Sequence, residues 1–104
     1  MKTFKDLEFT ERRPFNRSTI EQYSWEFDIA IMRFDNDYGV LVRDQKSNPH
    51  QYIPQLLAPA GYEVTVIKFT GDDYVEDFSV PPYDTIGQQT EEQITLLMKE
   101  IQSL

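Results

Sequence analysis

The C-terminal end of this chain predicts one capped amphipathic helix, and no other feature of the sequence constrains its fold as much. Thr90 begins a Thr-Glu-Glu-Gln capping box, in which its hydroxyl accepts the Gln93 amide N–H while the Gln93 side chain reaches back to Thr90. Apolar residues follow at the spacing of one helix face: Ile94, Leu97, Met98, Ile101 and Leu104. A helix with one apolar face needs a second layer to bury it against.

Four upstream segments alternate apolar and polar residues, which is the pattern of half-buried strands. They are residues 25–34, 38–43, 62–69 and 74–80. Turn-forming residues at 35–37 and 70–73 join them into two hairpins, and residues 7–10 predict an N-terminal edge strand. We therefore predict an α+β fold: an antiparallel four- or five-stranded β-meander with one C-terminal amphipathic helix packed on one face.

The length of 104 residues predicts a single domain that spans residues 1–104. Within it, residues 1–22 hold the edge strand and a polar lead-in, and residues 44–61 form a long loop with three prolines. Loops of this length in a compact domain are usually functional or mobile. One helical turn over the sheet is expected inside this loop, from Tyr52, Ile53, Leu56 and Leu57.

Nearly all of the net charge lies in the last third of the chain. The formal net charge is −8, and residues 71–104 hold eight acidic residues against one lysine, whereas residues 1–70 hold ten acids against nine bases. A negative electrostatic field attracts basic surfaces and repels nucleic acid. The partner we expect is therefore a protein with a basic surface, with no direct nucleic-acid binding.

A small group of arginines and aromatic residues offers the opposite interpretation. Arg12, Arg13 and Arg17 stand close to Phe15 and Tyr23, and such groups can contact single-stranded nucleic acid. Phosphate binding needs a net basic face, which an acidic chain does not favour. We interpret these arginines as ion-pair partners for acids of the same molecule or of a partner.

No motif predicts catalysis, a cofactor or a metal. His50 is the only histidine and stands in a loop without a partner nucleophile. Residues 35–37 resemble the start of a calcium loop, but the twelfth position is Lys46 instead of a glutamate. We predict that the protein is not an enzyme; the alternative that stays open is carboxylate chemistry beneath the 44–61 loop acting as a lid.

The compartment predicted from the sequence is the cytoplasm. The chain has no cysteine, so disulfides and thiolate metal sites are excluded. No stretch approaches the ~20 apolar residues of a membrane span, and no apolar run follows the N-terminal lysines as in a signal peptide. We expect no contact with a membrane.

The order of features resembles a set of small phage- and prophage-encoded proteins of unassigned function. The strongest parts are Tyr38-Gly39-Val40, residues 61–68 and residues 84–104, and the resemblance covers about residues 24–104. The chain departs from the pattern at Pro81-Pro82 and at Gln88-Gln89. The resemblance implies a phage or mobile-element accessory protein, and it carries no catalytic motif over to this chain.

The function that we expect is protein–protein binding through the acidic C-terminal third, and inhibition is the expected effect where the basic partner binds nucleic acid. The residues expected to bind it are Asp72, Asp73, Glu76, Asp77, Asp84, Glu91 and Glu92. The first four of these acids could also be interpreted as a metal site. We favour a solvated row of acids that discourages pairing between sheets. The alternative function is a homo-oligomeric structural protein, a homodimer formed by an open aromatic sheet face. Its candidate residues are Trp25, Phe34, Phe69 and Phe78.

Overall fold

The computed structural model describes residues 1–15, 25–44 and 61–104, with side chains from 1–10, 28–44 and 61–104. A short 3-10 helix spans Phe4–Asp6. The strands are β1 (Glu11–Phe15), β2 (Trp25–Arg33), β3 (Tyr38–Asp44), β4 (Tyr62–Thr70), β5 (Asp73–Glu76) and β6 (Ile86–Gln89). One helix follows, α1 (Glu91–Gln102). The helical turn predicted from Tyr52 to Leu57 and the single histidine lie outside the described residues.

The strands form one six-stranded antiparallel sheet in the order β1-β2-β3-β4-β5, with β6 also paired to β4. This confirms the predicted α+β class, the antiparallel meander and the single C-terminal helix. The sheet has one strand more than predicted because β6 lies beside the first half of β4, in line with β5. Gly87 belongs to this additional strand.

The helix buries its apolar stripe against β3 and β4. Ile94, Leu97, Met98 and Ile101 are buried and join one cluster with Val40, Val42, Val64 and Val66 of the sheet. Burial of each such side chain is worth about 1.5–3 kcal/mol, so this contact supplies much of the stability. Leu104 was wrongly placed on the stripe: it lies beyond the end of α1 and is 52% exposed.

The sheet face opposite the helix has a smaller apolar cluster of its own. Ile29, Leu41 and Ile67 are buried there, and Ile31, Phe69 and Tyr74 pack against them. Phe34 was wrongly assigned to this face: it is buried on the helix side, because it follows Ala30 and Met32 in steps of two along the strand direction. The side chain of Trp25 lies outside the described side chains.

The N-terminal strand begins later than predicted. Residues 7–10 are not a strand; β1 is Glu11–Phe15, inside the stretch that we interpreted as a polar lead-in. Leu7 is buried in the helix-side cluster, and the rings of Phe4 and Phe9 lie 4.9 and 5.9 Å from that of Tyr62. Aromatic packing against the end of β4 therefore decides the course of residues 4–9.

The second hairpin also ends earlier than predicted. β5 stops at Glu76, not at residue 80, because Asp77 turns the chain by accepting hydrogen bonds from the Ser79 N–H and hydroxyl. At the other end of the hairpin, Gly71 takes a φ of +62°, as a two-residue loop of the type II′ kind requires.

Candidate functional site

Two short strands in line form one edge of the sheet. β5 pairs with Ile67–Thr70 of β4, and β6 pairs with the other half of the same strand, at Tyr62 and Val64. The helix begins directly after β6, with Thr90 as its N-cap. All seven acids that the sequence predicted to bind a partner lie along this line, on β5, in the turns beside it, in the 77–85 connection or in the first turn of α1. We call it the acidic edge.

The acids at the two ends of this edge are far apart. Asp72 and Asp73 lie at the Thr70 end of β4, whereas β6 and the start of α1 lie at its Tyr62 end. Eight residues of strand at ~3.3 Å each separate the two ends by roughly 26 Å. The structure therefore arranges the acids in two groups, with Asp84 between them. The hairpin acids are Asp72, Asp73, Glu76 and Asp77, and the helix acids are Glu91 and Glu92.

Six of the seven carboxylates are solvent-exposed, the half-buried Asp77 being the exception. Among the described side chains there are two salt bridges, Arg33–Asp37 at 2.7 Å and Arg43–Glu63 at 2.9 Å, and neither includes a residue of the acidic edge. Lys68 lies next to the edge on β4, but its ammonium is 3.9 Å from the centre of the Tyr38 ring, towards β3. The charges of the edge therefore face solvent without a paired base among the described residues.

Asp77 has a structural role that the sequence did not reveal. The two hydrogen bonds from Ser79 lower the pKa of Asp77 below its ordinary value, and the charge of Lys68 contributes in the same direction. Its backbone N–H donates to the Val66 carbonyl at 3.0 Å, so the residue also ends the pairing of the hairpin. Of the hairpin acids, Asp77 is thus the one whose carboxylate is already engaged.

Asp84 is also held by its neighbours. Its carboxylate accepts the Thr85 N–H at 2.8 Å, and the Thr85 hydroxyl lies 2.8 Å from that of the buried Thr65. This contact fixes the 77–85 connection to the sheet face opposite the helix. Asp84 keeps its charge exposed to solvent in the middle of the acidic edge.

The helix acids border an open groove that the sequence did not predict. The capping box forms as expected: Gln93 N–H donates to the Thr90 hydroxyl at 3.1 Å, and Thr90 N–H donates to the Gln93 side chain at 2.9 Å. The groove, about 370 Å³, lies between the first half of α1 and the 3-10 helix. Its lining residues are Phe4, Lys5, Glu91, Glu92, Thr95 and Leu96.

Leu96 gives this groove an exposed apolar side chain. It is 67% exposed and lies off the buried helix stripe. The Phe4 N–H donates to the Thr95 hydroxyl at 3.1 Å, which fixes the 3-10 helix beside it. The helical spacing was a signal that could have identified Leu96, because it is a large apolar residue that the stripe does not include.

Three large apolar side chains are exposed along the acidic edge itself. Val75 on β5 is 65% exposed, and Phe78 and Tyr83 are exposed in the connection that follows. The sequence analysis had assigned Phe78 to the open sheet face and had not singled out Val75 or Tyr83. Exposed apolar side chains among unpaired carboxylates are the composition of a binding surface with apolar anchors and a charged rim.

Among the described residues, no group of three His, Cys, Asp or Glu side chains is placed to hold a metal ion. The described helices include none that is long and apolar enough to cross a membrane.

Comparisons with protein-family models, with curated proteins and with solved structures find no match for this chain. The resemblance to small phage-encoded proteins therefore stays a prediction. What the fold defines is an α+β domain with a one-helix layer and an acidic sheet edge.

Proposed function

We propose that this protein is a small accessory module that acts by binding a protein partner with a basic surface through its acidic edge. The observation that carries the proposal is the row of exposed carboxylates with no basic partner among the described side chains. Unpaired charge of one sign raises the rate of encounter with an oppositely charged partner more than the final affinity. The exposed Val75, Phe78 and Tyr83 offer the apolar contacts that charge alone does not supply.

A nucleic-acid-binding protein is the kind of partner that fits this edge best, because its phosphate-binding cleft is basic. A line of carboxylates seated in that cleft would compete with nucleic acid and inhibit the partner. We place this activity in the cytoplasm of a bacterial cell that carries a phage or another mobile element. The proposal includes no catalysis and no cofactor.

The proposal is tested by capture from a bacterial lysate with three tagged forms of the chain. The first is the natural sequence, and the second neutralises three hairpin acids (Asp72→Asn, Asp73→Asn and Glu76→Gln). The third is a control with the same change in net charge at exposed acids elsewhere (Glu8→Gln, Asp35→Asn and Glu100→Gln). A partner of the edge is retained by the natural and control forms, released by high salt, and lost from the hairpin variant. Equal retention by all three forms contradicts the proposal.

The alternative, a homo-oligomer formed through an open aromatic sheet face, has less support from the described residues. The centre of that face is buried at Ile29, Leu41 and Ile67, and Phe34 lies on the helix side. Phe69 and Tyr74 are half-buried against each other, with ring centres 5.5 Å apart. A rise in mass with protein concentration in sedimentation equilibrium would favour this alternative.

A further inference from the structure

We propose that the partner's contact with β5 is a strand of basic character that pairs with the outer edge of β5 and extends the sheet. This inference rests on the proposed function and specifies how the hairpin acids are used. Among the described strands, β5 is the last in the sheet and pairs on one side only, with β4. An unpaired strand edge offers a row of hydrogen-bonding groups to an extended peptide.

The register identifies which backbone groups of β5 face outward. In an antiparallel ladder, residues alternate between those that bond to the neighbouring strand and those that point away from it. Asp77 N–H bonds to Val66 on β4, so by alternation Tyr74 and Glu76 direct their N–H and C=O groups away from β4. Phe69, which lies opposite Tyr74 on β4, has the matching orientation. Its N–H donates at 2.8 Å to the Asp37 carbonyl, on the side of β3 and away from β5.

The side chains of β5 define the strand that would fit. Tyr74 and Glu76 lie on the sheet face opposite the helix, while Asp73 and Val75 lie on the helix side. Val75 is largely exposed, so an apolar side chain of an added strand would cover it. Glu76 is exposed without an ion-pair partner among the described side chains, so a lysine or arginine opposite it gains a cross-strand pair. The fitting strand therefore alternates basic and apolar residues.

A second copy of this chain fits the same edge poorly. An antiparallel pair of β5 strands centred on Val75 sets Asp73 opposite Asp77 of the other copy, twice. A shift of the centre to Glu76 sets Glu76 opposite itself. Like charges that face each other across a ladder destabilise it. Glu76, which discourages the second of these registers, is thus also the acid that favours a basic strand.

The first test is an NMR titration of the ¹⁵N-labelled chain with a short capped peptide of alternating lysine and valine. The control peptide has the same sequence with proline at its central valine. We expect the amide signals of Tyr74 and Glu76 to shift most and their hydrogen exchange to slow, with the control peptide much weaker. No response at millimolar peptide, or shifts spread over the acids without protection of these two amides, would overturn strand pairing. Protection that grows with protein concentration alone would identify a second copy as the occupant.

The second test separates the backbone contact from the charge. Glu76→Gln removes only the carboxylate, whereas Glu76→Pro also removes the outward N–H, at an edge position where proline is tolerated in strands. Loss of one backbone hydrogen bond predicts about tenfold weaker peptide binding for Glu76→Pro than for Glu76→Gln. Equal binding by the two variants, both weaker than the natural chain, contradicts strand pairing and leaves charge recognition intact. Binding that neither variant nor salt weakens contradicts the proposed function as well. Thermal unfolding checks that both variants fold. If Glu76→Pro does not fold, the NMR titration of the natural chain still tests strand pairing.

Discussion

Gly39 is the glycine at which the fold can least accommodate a side chain. A Cβ at this position would overlap the Met32 carbonyl oxygen and lie 2.8 Å from the Phe69 ring. The Arg33 guanidinium lies 5.0 Å from the centre of that ring and donates at 2.7 Å to the Gly71 carbonyl. The absence of a side chain at Gly39 leaves room for the Phe69 ring. Arg33 contacts this ring and thereby connects β2, across β3, to the tip of the hairpin that carries Asp72 and Asp73.

Substitution of this glycine tests the packing. We expect Gly39→Ala to lower the free energy of unfolding by about 1–3 kcal/mol, the usual cost of overpacking a tight site. Gly87→Ala is the matched control, since a Cβ there meets nothing within 4 Å, and its effect should stay within about 0.5 kcal/mol. Denaturant unfolding of both variants measures the difference. Equal free energies of unfolding for the two variants would mean that the contact of Phe69 with Gly39 tolerates an added methyl group.

A second residue-scale prediction concerns acid stability. Hydrogen bonds from Arg33, helped by its charge, lower the pKa of Asp37 below the ordinary value. The unfolded chain therefore takes up a proton first as the pH falls, and the stability that Asp37 contributes is lost between its ordinary pKa and its lower folded pKa. The same sign holds for Asp77. The effect of Asp37 is small because its carboxylate is exposed to solvent.

Asp37→Asn tests this sign, and Asn is suited to the positive φ of 68° at that position. We expect the variant to lose less stability than the natural chain as the pH is lowered through the acid range. Asp35→Asn, a change at a neighbouring exposed acid, should keep the natural dependence. The free energy of unfolding is measured at several pH values across this range. If it falls with pH as steeply in Asp37→Asn as in the natural chain, the result contradicts the ion pair between Arg33 and Asp37.

At the scale of elements, the helix and the hairpins were predictable because their signals are local. The capping box, the helical stripe and the turn residues at 35–37 and 70–73 each act within a few residues. β6 was not predictable in this way: Ile86–Gln89 contains a glycine and two glutamines and has no alternating pattern. It is a strand because β4 offers it an unpaired edge. β1 was likewise displaced by the packing of Phe4 and Phe9 around Tyr62.

The N-cap of α1 is the element-scale feature with the clearest consequence. Thr90→Ala removes the acceptor for the Gln93 N–H, and we expect a loss of about 1 kcal/mol of unfolding free energy. Thr90→Ser keeps the acceptor and should restore most of this loss. Thermal unfolding with helical circular dichroism compares the two variants. An unchanged Thr90→Ala variant would show that packing alone holds the start of the helix.

At the scale of the whole molecule, the sequence identified the acidic residues but not their arrangement. The counts of acids and bases are readable from the chain, and they predict attraction to a basic partner. That the acids follow one edge depends on β5 and β6 both pairing with β4, which is a consequence of topology. The exposure of Val75 depends on the same topology, because among the described strands β5 pairs with β4 alone.

The most direct test of the acidic edge is the salt dependence of affinity for a captured partner. We expect the dissociation constant of the natural chain to rise steeply with salt, since paired charges are screened. The variant with Asp72→Asn, Asp73→Asn and Glu76→Gln should bind more weakly at low salt and show a shallower dependence. The control with Glu8→Gln, Asp35→Asn and Glu100→Gln should behave like the natural chain. The same slope in the hairpin variant and the natural chain would contradict recognition through the acidic edge.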